Sequence, residues 1–428
     1  DPRFDAALTR AMLHYLADLR VGRVKSEFHT ALPDPRLHSF DPVEQLRAAL
    51  DGDGLAAAVS AAEPPFPFYA RVKDALAHYR ELAAAPHQPV PFAKKVRAGE
   101  PYAGAARLRE RLISLGDLPP GAAPANDNIY TPELAEGVRH VQLRHGLAED
   151  GVLGKETVAA LNVPLSTRVR QLELTLERLR WLPPFGPGPM IAVNLPAYRL
   201  WALHGGNPAQ LAPPLEMRVI VGASVKTPTP LFIGQLRYLE FNPYWNVPRS
   251  IALGEIVPKL LNNPDYLAQN DMELVAPDGA RPDSTVSEAA LAELRAGKLR
   301  IRQRPGPQNA LGAVKFAMPN PMNIYLHSTS QRELFARNRR DLSHGCIRVE
   351  KPVELAHFVL GDQAGWTRDK VEAAMEPGPM RKVNLGAPIP VVLFYATAMV
   401  DRDGRVLFSR DIYRRDTLLE QALKAHQH

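Results

Sequence analysis

One thiol, two imidazoles and a guanidinium fall within two short stretches of this chain. The first is Ile324-Tyr325-Leu326-His327-Ser328-Thr329-Ser330, and the second is Leu342-Ser343-His344-Gly345-Cys346-Ile347-Arg348-Val349. Cys346 is the only cysteine in 428 residues. A thiol attacks as its thiolate, so it needs a base or a positive field beside it. His327 is the candidate base. It lies too far upstream to share a helix face with Cys346, but two adjacent strands would bring the pair together. Gly345 lets the backbone turn tightly beside the thiol. The amides of Gly345 and Cys346 are then candidates to receive an oxyanion. Arg348, two residues beyond Cys346, points to the same strand face, where its fork suits a substrate carboxylate. Together these groups could transfer an acyl group through a thioester.

The elements that must position them are readable. Residues 323–326 and 346–349 read as short strands. Between them, Ser330-Gln331-Arg332-Glu333 fits a capping box, with Ser330 as N-cap and Glu333 at N3. The basic run Arg337-Asn338-Arg339-Arg340 covers the exposed part of that helical excursion.

The two stretches resemble the active-site signature of the L,D-transpeptidases, with their YkuD-type catalytic domain: a strand ending in His, then Ser/Thr-His-Gly-Cys-x-Arg/Asn. The run Phe241-Asn242-Pro243-Tyr244-Trp245-Asn246-Val247-Pro248 is similar to the large YcbB-like branch, as is Tyr15-Leu16-Ala17-Asp18-Leu19-Arg20-Val21-Gly22. Many members have Gly after the catalytic His, where this chain has Ser328. The resemblance implies that Cys346 is the nucleophile and His327 the general base, held in orientation through the backbone carbonyl of Ser328. It implies that Arg348 and Tyr325 shape the donor site with Trp245 near it, and that His344 belongs to the oxyanion turn together with the Gly345 amide. The implied substrates are peptidoglycan stem peptides, donor and acceptor, joined in a 3→3 cross-link, with the glycan strand an open further ligand. A carbapenem would acylate the same sulfur. The implied location is the periplasm, with a removed signal peptide or an anchor left open.

Composition narrows the classes. Apolar residues are 45% and charged residues 23%, ordinary for a folded globular chain. The net charge of +6 could suit an anionic polymer, but no Lys/Arg stripe interleaved with aromatics points to nucleic acid. No apolar run reaches the roughly 18 residues of a membrane span. With one cysteine and no H-x-x-x-H, neither a metal site nor a cofactor is expected. Asp51-Gly52-Asp53-Gly54 starts like a calcium loop but has Leu55 and Ala57 where oxygen ligands belong, so it reads as a turn. Prolines number 41, nearly twice the roughly 5% norm, which predicts many hard stops between elements.

The expected architecture is multidomain, α and β: a helical scaffold, a small three-helix peptidoglycan-binding module, and a β-rich catalytic domain with an inserted helical capping subdomain. Residues 1–125 read as the first part of the scaffold, with Leu8, Met12, Leu16 and Leu19 at helical spacing. Pro119 to Asn128 reads as a linker. Residues 126–163 resemble the peptidoglycan-binding module through Val-Gln-Leu-Arg-His-Gly-Leu and Asp-Gly-Val-Leu-Gly-Lys-Glu-Thr. Residues 164–186 read as a return helix of the scaffold, carrying Val169, Leu172, Leu176 and Leu179 on one face, before the Pro/Gly stop at 183–189. From 187 the period changes to two, with Ile191, Val193 and Leu195 alternating and a turn at Gly205-Gly206-Asn207. The catalytic domain is expected over 187–249 and 313–428. The 250–312 segment between its halves lacks alternation and reads as the capping insertion, next to the site where lids occur.

Two rival functions follow from the same residues. One is an L,D-carboxypeptidase, in which water rather than an amine accepts the acyl group. The other is a wall-binding protein with an inactive catalytic domain. Papain-like and caspase-like peptidases fit neither the residue order nor the cysteine motif. Oligomeric state is not legible in the sequence.

Overall fold

The structure is a computed structural model that describes residues 1–30, 40–52, 54–121, 128–205, 214–280, 287–361 and 363–426. The Gly205-Gly206-Asn207 turn, the middle of the Pro119–Asn128 linker and Asp53 of the Asp51–Gly54 turn lie outside the described residues. Two compact units divide the chain. One comprises residues 1–186, 194–197 and 394–428, and the other 187–193 and 198–393.

The first unit is mainly helical. Pro2–Val21 opens on Asp1, whose carboxylate caps the Arg3 amide. Only its C-terminal half is packed: Leu16 and Leu19 join Leu46, Ala49, Ala58 and Ala62 in one core, while Leu8 is exposed. Pro67–Ala84 packs along Leu165–Arg180, with Tyr69, Val72, Leu76 and Tyr79 against Leu172, Leu176 and Leu179.

Two boundaries differ from the sequence reading. Ala105–Ser114 buries Leu108 and Leu112 in one core with Leu134, Val138 and Val141 of Pro132–Arg144 and Val158 and Leu161 of Lys155–Leu161. These three helices form one bundle, so its first helix lies on the far side of the Pro119–Asn128 linker from the expected 126 start. Period alone shows that Leu108 and Leu112 share a face, not which helix covers it. The second difference is at the C-terminus, which was expected to stay in the catalytic domain. The hairpin Ala398–Val400/Val406–Phe408 instead buries Ala398, Val400 and Phe408 in the core of Tyr79 and Leu172. Arg415–Ala425 likewise packs Leu419 and Leu423 on Leu174 and Trp181.

The second unit is built on a curled sheet. In order, Phe232–Phe241, Arg381–Phe394, Met190–Asn194, Arg199–Leu203, Leu215–Gly222, Ile347–Val349, Leu326–His327 and Val314–Ala317 are neighbours, and the last pairs back to the first. The ring has no open edge along this path. Alternation sends Ile191, Leu200, Val219, Phe241, Val314, Phe316 and Leu326 into its core, each fully buried.

The 250–312 insertion is not wholly helical. Met272–Val275 and Arg300–Gln303 form a three-stranded sheet with Trp245–Asn246. Each strand is four residues or fewer, and all of Met272–Val275 is buried, so alternation could not mark it. Around the sheet lie Val257–Asn262 and Glu288–Ala296, the latter capped by Ser287 and ended by left-handed Gly297. Val247, Ile251, Leu260, Leu274, Leu291 and Ile301 give the insertion its own core.

Candidate active site

Leu326–His327 and Ile347–Val349 lie parallel, with Leu326 beside Ile347 and His327 beside Arg348. The same register sets Tyr325 beside Cys346. Period two then puts Tyr325, His327, Cys346 and Arg348 on one face. The contacts agree. Tyr325 is near enough to pull the Cys346 pKa down, and the Tyr325 and His327 rings meet edge to face with centroids 5.7 Å apart. Both expected strands begin later than the sequence suggested. Asn323 has φ 53° and belongs to a turn, whose carbonyl accepts the Cys346 thiol at 3.5 Å.

His327 is buried. Its Nδ1 is 2.6 Å from the Ser328 carbonyl oxygen. A carbonyl can only accept, so Nδ1 carries the proton and Nε2 of the neutral ring is left as the base. Ser328 also uses its hydroxyl, which donates to the Leu311 carbonyl at 3.0 Å and accepts from the Val314 amide at 3.1 Å. The residue that orients the imidazole is thereby fixed to the preceding loop. Burial, and next the Arg348 charge, push the His327 pKa down to about 3.

The nucleophile turn is held by hydroxyls. Ser343 Oγ donates to the Cys346 carbonyl at 2.6 Å, and Thr227 Oγ1 to the Ser343 carbonyl at 3.0 Å. Thr229 Oγ1 donates to the Gly345 carbonyl at 2.8 Å and accepts from the Gly222 amide at 2.9 Å. Gly345 sits at φ 114°, which favours glycine. Its amide differs from the expectation: it donates to Ser343 Oγ at 3.2 Å, so it is already engaged. Among the described residues the Cys346 amide has no hydrogen-bond acceptor, so it is free to bind a ligand oxygen.

Gly222 lets the Leu215–Gly222 strand pass against this turn. A Cβ there would stand 2.0 Å from the Thr227 carbonyl oxygen and 2.7 Å from the Thr229 amide, both backbone. Gly222→Ala is expected to cost about 1–3 kcal/mol of stability by overpacking and to slow acylation of Cys346 with it. Denaturant unfolding and intact-protein mass spectrometry read the two effects; a variant of wild-type stability and acylation rate would show that the turn tolerates displacement.

His344 points away from the sulfur. Its Nε2 lies 2.6 Å from Glu255 Oε1, in the Ala252–Ile256 turn of π-helix within the insertion. Trp245 packs against the insertion's core and pairs with Gln303. Arg348 Nη1 donates to Gln331 Oε1 at 2.7 Å, while its Nε is buried with no acceptor. The excursion between the strands is a 3₁₀ helix, Arg332–Ala336, with Gln331 at its N-cap and no side-chain cap. The capping box at Ser330 therefore does not form; Thr329 Oγ1 accepts the Gln331 amide instead.

Lys315 escaped the sequence reading. Its ammonium donates to Glu240 at 3.0 Å and lies 4.9 Å from the centre of the Tyr325 ring. The only signal was its place in the alternating Val314-Lys315-Phe316 run. Asn320 was missed too: its amide donates to the Ile324 carbonyl and its Oδ1 accepts from Met322 and Ile324, shaping the turn at Asn323.

Burial pushes the Cys346 thiol up, against the opposing pull of Tyr325, Lys315 and Arg348. The resting pair is therefore thiol and neutral imidazole rather than thiolate and imidazolium. Thiolate grows only as pH climbs through a raised pKa. Iodoacetamide alkylation of Cys346 is expected to rise through the alkaline range, with a midpoint above an ordinary thiol and no plateau near pH 5–6. A pH-independent fast alkylation across pH 5–7 would contradict this resting state.

With this geometry in hand, comparison with known proteins shows what the second unit is similar to. Residues 188–391 match the YkuD family, described as the L,D-transpeptidase catalytic domain. These residues resemble a YkuD domain. Residues 1–76 match a family described as "Scaffold domain", and residues 103–161 one described as "Putative peptidoglycan binding domain". The latter match begins in the helix Ala105–Ser114 region, as the packing does. A Haemophilus influenzae protein named "Putative L,D-transpeptidase" is 31% identical over 305 residues, covering 70% of this chain and 60% of that protein. The chain thus spans about 60% of the length of this curated relative. Among solved structures, the L,D-transpeptidase (residues 123–326) of Xylanimonas cellulosilytica shares 16% identity over 72% of this chain and all of that one, with a TM-score of 0.19. A fused Zn-dependent amidase/peptidase/peptidoglycan-binding protein of Clostridium acetobutylicum shares 13% over 71% of this chain and all of that one, also at 0.19. At such scores neither superposition bears on fold or chemistry. The residues matched to that family include Cys346, His327, Tyr325 and Arg348, and the 250–312 insertion as well.

Proposed function

We propose that the protein is an L,D-transpeptidase of the YcbB-like branch that makes 3→3 cross-links in peptidoglycan. The observation that carries this reading is Cys346 on one strand face with a buried imidazole whose Nδ1 is already committed. His327 Nε2 takes the thiol proton, and the thiolate attacks the amide carbonyl between diaminopimelate and D-Ala of a tetrapeptide stem. The Cys346 amide receives the oxyanion. On collapse the C–N bond breaks, the D-Ala amine takes the proton from His327, and a thioester remains. The side-chain amine of a second stem attacks the thioester, its proton passes by way of His327 to the departing thiolate, and the new amide is the cross-link. Tyr325 keeps its hydroxyl proton, because burial raises its pKa, and its presence favours the Cys346 thiolate. Arg348 Nε, buried without an acceptor, is suited to a donor carboxylate. Stem peptides are the ligands in this reading, the periplasm is the compartment, and the insertion is the lid over the donor.

Purified tetrapeptide muropeptides incubated with the protein and resolved by mass spectrometry test it. Dimers joined through two diaminopimelates, with release of D-Ala, are expected. Shortened monomers without dimers would instead favour the carboxypeptidase, and no change in the substrate would leave the wall-binding alternative.

A further inference from the structure

Away from the Cys346 site, the helical unit holds an unusual concentration of buried positive charge. Arg111, Arg144 and Arg168 are each more than nine-tenths buried and line one small cavity with Tyr79, His145 and Phe408. It leaves about 10 Å³ in which the centre of a water-sized occupant can sit. Such a space takes one occupant of about water size and excludes larger polyatomic ligands.

The charges around it do not balance. Arg144 is paired in a fork with buried Asp117 through Nε at 2.9 Å and through Nη2. Its Nη1 donates to the Val406 carbonyl at 3.2 Å. Arg111 donates to the Leu161 carbonyl through Nε and Nη2 at 3.3 and 3.0 Å, and Arg168 Nη2 to the Ala160 carbonyl at 3.0 Å. Both thus cap the C-terminus of Lys155–Leu161, which supplies about half a negative charge. Three guanidiniums face one carboxylate and that helix end, so more than one positive charge is left over. Buried charge without a partner is costly. His145 adds none, because burial and the three arginines hold it neutral. The same crowding lowers the Arg168 pKa to about 10, burial first, and no carboxylate offsets it. One donor, Arg111 Nη1, is buried and has no acceptor among the described residues. A water molecule would accept that bond but leave the charge unanswered.

We propose that this cavity is a binding site for a small monovalent anion of chloride size, accepting from Arg111 Nη1 and neutralising the arginine cluster where Ala105–Ser114, Pro132–Arg144 and Lys155–Leu161 meet Pro67–Ala84 and Leu165–Arg180. The site is independent of the reaction at Cys346. It makes the anion a structural ligand that joins the three-helix bundle to the scaffold helices, stabilising the native state by mass action.

Two measurements on the full chain test it. Thermal unfolding at constant ionic strength, with chloride replacing gluconate, is expected to raise Tm by a few degrees and saturate. In Arg111→Met the chloride-dependent rise should disappear. Crystals of the wild-type protein soaked in bromide should show an anomalous peak within hydrogen-bond distance of Arg111 Nη1, a readout that stands even if the variant does not fold. No bromide in the cavity, or the same wild-type Tm in chloride and gluconate, would overturn the proposal.

Discussion

Cys346→Ala is expected to remove turnover and covalent labelling together, while the protein folds as before. A carbapenem should leave the variant at its unmodified mass, and muropeptides should be returned unchanged. No second thiol in the chain can substitute. The fold should survive because the turn does not lean on the sulfur. Its geometry is held by Ser343, Thr227 and Thr229 through backbone carbonyls and amides. The side chain's own hydrogen bond is to the Asn323 carbonyl, so truncation should cost about 1 kcal/mol. An acyl adduct on the variant, or residual cross-linking, would remove Cys346 from the reaction. A large loss of stability would show instead that the thiol is a core residue.

His327→Ala should be the next most damaging change, slowing thioester formation by about 10²–10⁴-fold, the usual worth of a positioned base. The loss should depend on pH in a way that a packing defect would not. In the wild type the imidazole is held neutral down to about pH 3, so it accepts a proton across the neutral range. Without it only solvent deprotonates the thiol, whose pKa burial raises. The acylation rate of the variant should therefore climb about tenfold per pH unit through neutrality and recover part of the deficit at high pH. Substitution also leaves the Ser328 carbonyl without its donor, at about 1–3 kcal/mol if it stays dry. A variant that unfolds little but keeps the wild-type rate and pH profile would take the general base away from His327.

What the sequence determined by itself was local. Ser-His-Gly-Cys-Ile-Arg carries its own geometry: a glycine for the positive φ, and a two-residue step that puts Cys346 and Arg348 on one face. The period-two run marked Ile191, Val193 and Leu195 as one strand face, and the 3.6-residue period marked Leu172, Leu176 and Leu179 as one helix face. Those patterns report which side of an element is apolar and say nothing of what covers it. Tertiary structure alone decided that Leu108 and Leu112 pack with Leu134 across the linker, and that Phe408 leaves the β-rich unit for the helical one. It also decided that Thr227 and Thr229 hold a turn more than a hundred residues away, and that Lys315 reaches Tyr325. At Ser330 a sound local rule lost to its surroundings, because Arg332–Ala336 winds as a 3₁₀ turn with Gln331 as cap and Gln331 also binds Arg348. Hydrogen bonds between distant residues exist only once strand order is set, and strand order is fixed by how all the apolar faces are covered at once.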